Sequence, residues 1–230
     1  MNKVKISLLI SSFGDSRFEM LGQNRALRSV IDQGFHEVLI LHEPEMTLAE
    51  VRNSNAARAT GDYLCNLDAD DQLAPGFADA MQASLALLPA DSDHLLTPAI
   101  RYGADRQFST PRFWPEVDIT TGNWMVVGTL VSRRMFESVG GWDEYGIYED
   151  WALWAKCMKA GAVAVMVPDA HYMVHVSANS RNRGNSQRKF RYWRQKIGSD
   201  IWPDLYPPPT EEENEAREIE TPVRLYTDGY

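Results

Sequence analysis

Three carboxylates fall within four positions of this 230-residue chain, in the segment Tyr63-Leu64-Cys65-Asn66-Leu67-Asp68-Ala69-Asp70-Asp71. A short apolar run of strand length discharges directly into them. Carboxylates crowded at a strand end repel one another unless a cation joins them. Hard ions such as Mg²⁺ and Mn²⁺ prefer such oxygens, and are commonly held by one or two carboxylates together with substrate phosphates. Asp68 and Asp70 therefore suggest a metal and diphosphate site. The other reading of Asp-x-Asp alone is a strand followed by a solvated acidic turn, because the pattern is short and common.

The elements around these residues alternate between strand and helix. Residues 4–10 form a β-rich run that ends in the turn-like Ser11-Ser12-Phe13-Gly14-Asp15, and residues 23–33 follow with helical spacing of Ala26, Leu27, Val30 and Ile31. Residues 37–41 read as a second strand. Thr47 can cap a helix containing Leu48, Val51 and Ala56, with Glu50 at the capping-box position, and Gly61 ends it before the strand 63–67. Pro75 starts a helix through about Leu88; residues 94–101 and 125–131 read as strands, 134–139 and 149–160 as helices, and 163–167 as a last core strand. The β-α-β-α-β order favours a parallel sheet with helices on both faces. In open sheets of this kind ligands bind beyond the carboxyl ends of the strands, where Ser11, Glu43 and Asp68 fall.

Composition sets bounds. With 44% hydrophobic residues the chain can bury a substantial core, most simply as one domain. No apolar run approaches the roughly 20 residues of a membrane-spanning helix. The polar start Met1-Asn2-Lys3-Val4-Lys5 leads into too short an apolar stretch for a signal peptide. A cytoplasmic protein is expected, with Cys65 and Cys157 as reduced core residues. The net charge of −9 is unevenly placed. From Pro203 onward, Asp204, Glu211, Glu212, Glu213, Glu215, Glu218, Glu220 and Asp228 face only Arg217 and Arg224. By contrast, Arg181, Arg183, Arg188, Lys189, Arg191, Arg194 and Lys196 form a basic run with Phe190, Tyr192 and Trp193 interleaved, a local anion-binding surface in an acidic protein.

Arg52-Asn53 and Gly61-Asp62-Tyr63 lead into the carboxylates, and about seventy residues later come Val139-Gly140-Gly141-Trp142-Asp143-Glu144 and Tyr148-Glu149-Asp150-Trp151. In this order and spacing the motifs resemble those of the family 2-like glycosyltransferases of the GT-A fold, over roughly residues 4–180. The resemblance implies an α/β chain with a single GT-A (Rossmann-like) domain over residues 1–180, built on a mixed, mostly parallel sheet with helices on both faces. A basic aromatic loop or helix would follow over 181–202, then an acidic Pro-rich tail over 203–230.

It also implies roles. Ser12 and Phe13 match a threonine and an aromatic that pack on the nucleotide base, with Ser11 beside them, although the family's proline is absent. Glu43 stands where an acid contacts the base. Only eight residues separate Glu43 from Arg52, where family members carry a few tens, so the sheet is expected to be trimmed. Arg52 would reach toward the pyrophosphate or toward Asp68, or form a helix-surface ion pair. Asp70 would be the principal ligand of Mn²⁺ or Mg²⁺, with Asp68 on the ribose or in the metal shell and Asp71 capping the next turn. His175 would be a third metal ligand from beyond the last strand, with His171 as its rival and a structural histidine the other reading. Asp150 would be the general base, Glu149 its neighbour, and Trp142 and Asp143 would shape the acceptor pocket. Helix capping accounts equally for Glu149 and Asp150, and core packing for Trp142.

The activity so implied is inverting, metal-dependent transfer of one sugar from a nucleotide-sugar donor, a UDP-sugar in the first instance, to a hydroxyl-bearing acceptor. Two alternatives stand beside it. One is transfer to hydroxymethylated bases in DNA, which would use the basic and aromatic stretch for phosphate contact and stacking. The other is a noncatalytic sugar-nucleotide or glycan-binding module. The basic stretch reads equally as a loop closing on the donor diphosphate, a patch for an anionic acceptor, or a solvated helix.

Overall fold

Ile6, Leu8, Leu9 and Ile10 have no solvent exposure at all, so strand β1 (Ile6–Phe13) is apolar on both faces, as the central strand of a parallel sheet must be. In this computed structural model residues 3–89, 92–104, 107–113, 116–176, 187–211 and 214 are described. The chain divides into two compact units, Met1–Ser177 and Ala178–Tyr230.

In the first unit β1 pairs in parallel with β2 (Glu37–Glu43) on one side and with β3 (Tyr63–Asp68) on the other. The ladders set Ser11 opposite Asp68 and Phe13 opposite Glu43, so the polar residues after the apolar runs gather at one edge. Helix α1 (Ser16–Leu21) continues through a wide π turn at Gly22–Ala26 into α2 (Leu27–Val30). The helical stretch therefore begins well before the expected residue 23, because the Asp15 side chain accepts from the Arg17 N–H and caps it. Helix α3 (Leu48–Ala57) carries the expected capping box of Thr47 and Glu50. Between β2 and α3 there is no further strand, and among the described residues β2 is the end of its sheet.

The remaining elements are the short β4 (Gln72–Leu73), α4 (Phe77–Leu85), β5 (His94–Ala104), β6 (Gln107–Phe108), β7 (Val131–Ser132), α5 (Arg133–Ser138), α6 (Glu149–Lys159) and β8 (Val163–His175). The expected sheet is built in two four-stranded pieces, β2-β1-β3-β7 and β4-β8-β5-β6, which an isolated bridge between Leu96 and Leu130 relates. The three long pairings, β1 with β2, β1 with β3 and β5 with β8, are parallel; the three short ones, β7 on β3, β4 on β8 and β6 on β5, are antiparallel.

Four expectations are corrected. Residues 125–130 are not a strand but a buried loop; Met125 and Val127 are nearly inaccessible because they pack as loop residues, and the apolar run records that burial. Gly128 lies so close to Tyr172 that a Cβ would sit 2.3 Å from its ring. Helix α4 starts at Phe77 and not at Pro75, since Gly76 adopts a left-handed φ of 84°. Strand β8 runs on past Val167 to His175, resuming its pairing with β5 after a shift at Pro98 and Ala99, so His171 and His175 lie within the strand and not beyond it.

In the second unit helix α7 (Gln187–Ile201) carries the latter part of the basic run. Lys196 pairs with Asp200 one turn on at 2.6 Å, and the Tyr192 and Trp193 rings meet edge to face. Arg181, Arg183 and most of the acidic tail lie outside the described residues.

Candidate active site

At the carboxyl edge of the sheet, the side-chain amide of Asn55 donates to the Ser11 hydroxyl at 3.1 Å and to the carbonyls of Ile10 and Leu39 at 3.2 Å, tying α3 to β1 and β2. The Ser12 hydroxyl lies 2.9 Å from Nδ1 of His42. Both serines are buried, whereas Phe13 and Glu43 are partly exposed at the strand ends. These four residues border one edge, as the register requires.

Arg52 is the centre of the site. Its side chain is 2% exposed, and its guanidinium donates to Asp68 Oδ1 at 2.6 Å and to Glu149 Oε1 at 2.9 Å. It also lies over the Trp142 ring, 4.5 Å from the centroid. Burial alone would weaken its hold on the proton, but the facing Asp68 and Glu149 carboxylates outweigh that and raise its pKa further above the ordinary value. Of the readings open to Arg52, the structure shows the link to Asp68 and adds Glu149, making it a buried strut between β3 and the first turn of α6.

The acidic turn after β3 is held from several sides. The Asp68 N–H donates to the Tyr172 hydroxyl at 3.2 Å, and the Asp70 carbonyl accepts from Arg25 at 2.8 Å. Asp71 does not cap the following turn. Its carboxyl is buried and accepts from the backbone N–H of His175 at 2.8 Å and from the Tyr172 hydroxyl. Burial, followed by the charges of Asp70 and Asp68, pushes the Asp71 carboxyl well above the usual range. The inward Asp71 thus leaves Asp68 and Asp70 as the carboxylates of the turn suited to a cation. Nε2 of His175 is 2.7 Å from the Gln72 side-chain oxygen, and its ring meets Phe108 edge to face. Among the described residues no three His, Cys, Asp or Glu side chains form a ready-made metal cluster.

Tyr148, immediately before α6, has a left-handed φ of 65°, uncommon for an aromatic residue and costly in backbone strain. That kink presents Glu149 and Asp150 at the helix start. Oδ1 of Asp150 accepts the Trp151 N–H at 2.8 Å and Oδ2 accepts from the Asn123 side chain at 3.0 Å. Loss of hydration, with the neighbouring Glu149 charge second, pushes the Asp150 carboxyl up to about 7. Trp142 is 3% exposed, its backbone bonded through both groups to the Asn53 side chain and its ring edge to face with Trp154. Asp143 is paired with Lys156 of α6 at 2.7 Å. Glu144 accepts a hydrogen bond from the Thr47 hydroxyl, tying the same loop to the start of α3.

Several residues of this arrangement have no motif of their own. Asn123, Tyr172 and Arg25 are joined to the acids only by the fold; no spacing in the sequence links any of them to its partner. Asn53 stands beside Arg52 in the helix, a place from which its contact with the Gly-Gly-Trp turn was legible at most as proximity.

Residues 22–135 match the family model for Glycosyl transferase family 2. Among solved structures, GalNAc-T7 with UDP, GalNAc and Mn²⁺ shares the fold at a TM-score of 0.65 and 16% identity, over 89% of this chain and 50% of that one. The TarS protein of S. aureus does so at 0.60 and 13%, over 92% of this chain and 41% of that one. A TarS fragment, residues 1–349, in complex with UDP-GlcNAc gives 0.61 and 12%, over 92% and 69%. The family match, over just under half of the chain, and the shared GT-A architecture bear out the resemblance to the family 2-like glycosyltransferases. It spans half the length of the GalNAc-T7 chain. The search of curated proteins gave no match in sequence. No described helix is long and apolar enough to cross a membrane.

Proposed function

We propose that this protein transfers one sugar, with inversion, from a UDP-sugar to a hydroxyl-bearing acceptor. The observation that carries the reading is Asp150: a carboxyl raised to about 7, fixed at a helix start, and joined through Glu149 and Arg52 to Asp68 at the strand end. A group of that pKa is matched to accepting a proton near neutrality. The neighbours that share the fold include structures holding UDP or UDP-GlcNAc, which supports a uridine nucleotide as donor.

In this reading Ser11, Ser12, Phe13 and Glu43 border the nucleotide, with Asp68 near the ribose. Asp70 and Asp68 would hold Mn²⁺ or Mg²⁺, whose hard-oxygen preference fits two carboxylates completed by the donor's own phosphates. His175, already engaged by Gln72 and packed on Phe108, is the weaker member of the set. When bound, the cation would offset charge developing on the departing diphosphate. Asp150 takes the proton of the acceptor hydroxyl as its oxygen attacks the anomeric carbon; the bond to the diphosphate breaks on the opposite face, so one displacement inverts the centre. Arg52 acts from behind, holding Asp68 and Glu149 in place, with Trp142 packed on its guanidinium. Asp143 borders the acceptor side. The buried, unbridged thiols of Cys65 and Cys157 accord with a cytoplasmic setting.

The test is Asp150→Asn, assayed by UDP release from UDP-GlcNAc and UDP-GalNAc with Mn²⁺. Turnover is expected to fall by roughly 10²–10⁴-fold with donor affinity unchanged. In the parent, turnover should rise as the pH passes through about 7 and level off above it, because the base must be ionised. Equal rates for parent and variant would overturn the assignment.

A further inference from the structure

The segment before β7 carries an amide that meets the Asp150 carboxylate directly. Asn123 follows a turn built on Asp118, which accepts the Thr120 N–H at its side chain and the Thr121 and Gly122 N–H groups at its carbonyl. The segment is docked on α6 at a second point, where the Trp151 indole N–H donates to the Ile119 carbonyl at 2.6 Å. Ile119, Trp124 and Met125 are all buried, so Asn123 sits on a packed stretch and not on a loose loop.

Its orientation is determined by its partners. The side-chain oxygen accepts the Met125 N–H at 3.0 Å, so the atom turned to Asp150 Oδ2 is the NH₂ group. An NH₂ group can only donate, and donation to a carboxylate favours its charged form. The other oxygen of Asp150 already accepts the Trp151 N–H. The two donors therefore fix the rotation of the carboxyl group. The other ionisable groups that act on it are Glu149 on its own helix, Arg52 from α3, Asp68 from β3, and the adjoining Tyr148 phenol.

We infer that Asn123 is a positioning residue for Asp150, holding the carboxylate in one orientation and in its ionised form against the cost of burial. The inference rests on Asp150 as the base, and deepens that reading by assigning the element that prepares it.

The test uses the full chain with aspartate labelled by ¹³C at the carboxyl group, the Asp150 signal being identified by its loss in Asp150→Asn. In Asn123→Ala the titration midpoint of Asp150 should rise by about one pH unit, the size of a lost hydrogen bond to a charged group. In Asn123→Asp, which keeps the shape and adds a like charge, it should rise at least as far. The acidic limb of UDP release should move by the same amount at unchanged KM for the donor. If Asn123→Ala loses its fold, the isosteric Asn123→Asp carries the decision. An unmoved midpoint in the folded variants overturns the inference. A parent protein that cleaves no nucleotide sugar defeats the transferase reading instead, and the titration still decides whether Asn123 governs Asp150.

Discussion

Ser11 and Asp68 share one edge of the sheet because the parallel ladder between β1 and β3 leaves them in register, whereas Glu149 and Asp150 are held by side chains that reach them from distant segments. On the strand side, backbone hydrogen bonds do the placing, and any residue at position 68 would emerge at that edge. On the helix side, Arg52, Asn123 and the strained Tyr148 do it, and the arrangement depends on their chemistry. The strand side should therefore tolerate substitution of Asp70 without structural loss, whereas the helix side should not tolerate loss of the Arg52 that holds it.

The strongest way to break that contrast is Arg52→Met. It leaves the Asp68 and Glu149 carboxylates without their buried cation, and removing one partner of such an arrangement costs about 3–5 kcal/mol. Urea unfolding should read that loss, and adding Glu149→Gln should recover part of it. A loss below about 1 kcal/mol, the worth of an exposed ion pair, would show that the strut is dispensable.

Next comes Asp70→Ala, on the strand side. Parent protein at ~100 times the Kd of UDP should gain about 2.7 kcal/mol of stability. The Mn²⁺-dependent part of that gain should vanish in the variant while the ligand-free fold keeps its melting temperature. Undiminished metal-dependent stabilisation would remove Asp70 from the metal site.

Gly128→Ala probes the support common to both regions. The added Cβ would lie 2.3 Å from the Tyr172 ring, whose hydroxyl accepts from the Asp68 N–H. Overpacking of this kind costs about 1–3 kcal/mol in thermal or urea unfolding. A variant as stable as the parent would show that the loop 125–130 yields freely.

A last effect, largest at neutral and higher pH, is on stability through Asp150→Asn. Because the folded carboxyl is raised from 3.8 to about 7, burial of Asp150 costs nothing when it is protonated in both states, costs more as the pH climbs from 3.8, and costs most above 7. The variant should therefore melt at the parent's temperature near pH 4 and above it at pH 8. Equal melting temperatures at both would contradict the raised pKa.

Much of the fold could be read from local signals. The apolar runs before Ser11 and in Tyr63–Asp68 identified central strands, and the Thr47 and Glu50 pair marked a helix start that the structure reproduces. Residues 125–130 misled for a physical reason: Trp124, Met125 and Val127 are as buried as any strand, and an apolar run reports burial without reporting backbone pairing. The acids of the candidate site stood in motifs and were visible. What they bond to was not, because the Asn123 amide, the Tyr172 hydroxyl and the Arg25 guanidinium come from segments whose approach is decided by tertiary packing. Asp71 illustrates the same limit: next to Asp70 in sequence, it points into the interior because β8 runs on far enough to offer it the His175 N–H.

That long reach of β8 also bears on how the molecule assembles. The bonds that complete the acidic turn, from Asp71 to His175 and from Asp68 to Tyr172, each join residues 104 positions apart, and Arg52 to Glu149 spans 97. Contacts of such sequence separation are won only after the entropy of closing a long loop has been met, and they slow folding. The strands β1, β2 and β3 can pair once the chain has been made through Asp68, but the bonds from β8 to the acidic turn form only once β8 has left the ribosome. Until then the growing chain holds its acidic turn through Arg25 and Arg52, without the bonds from Tyr172 and His175.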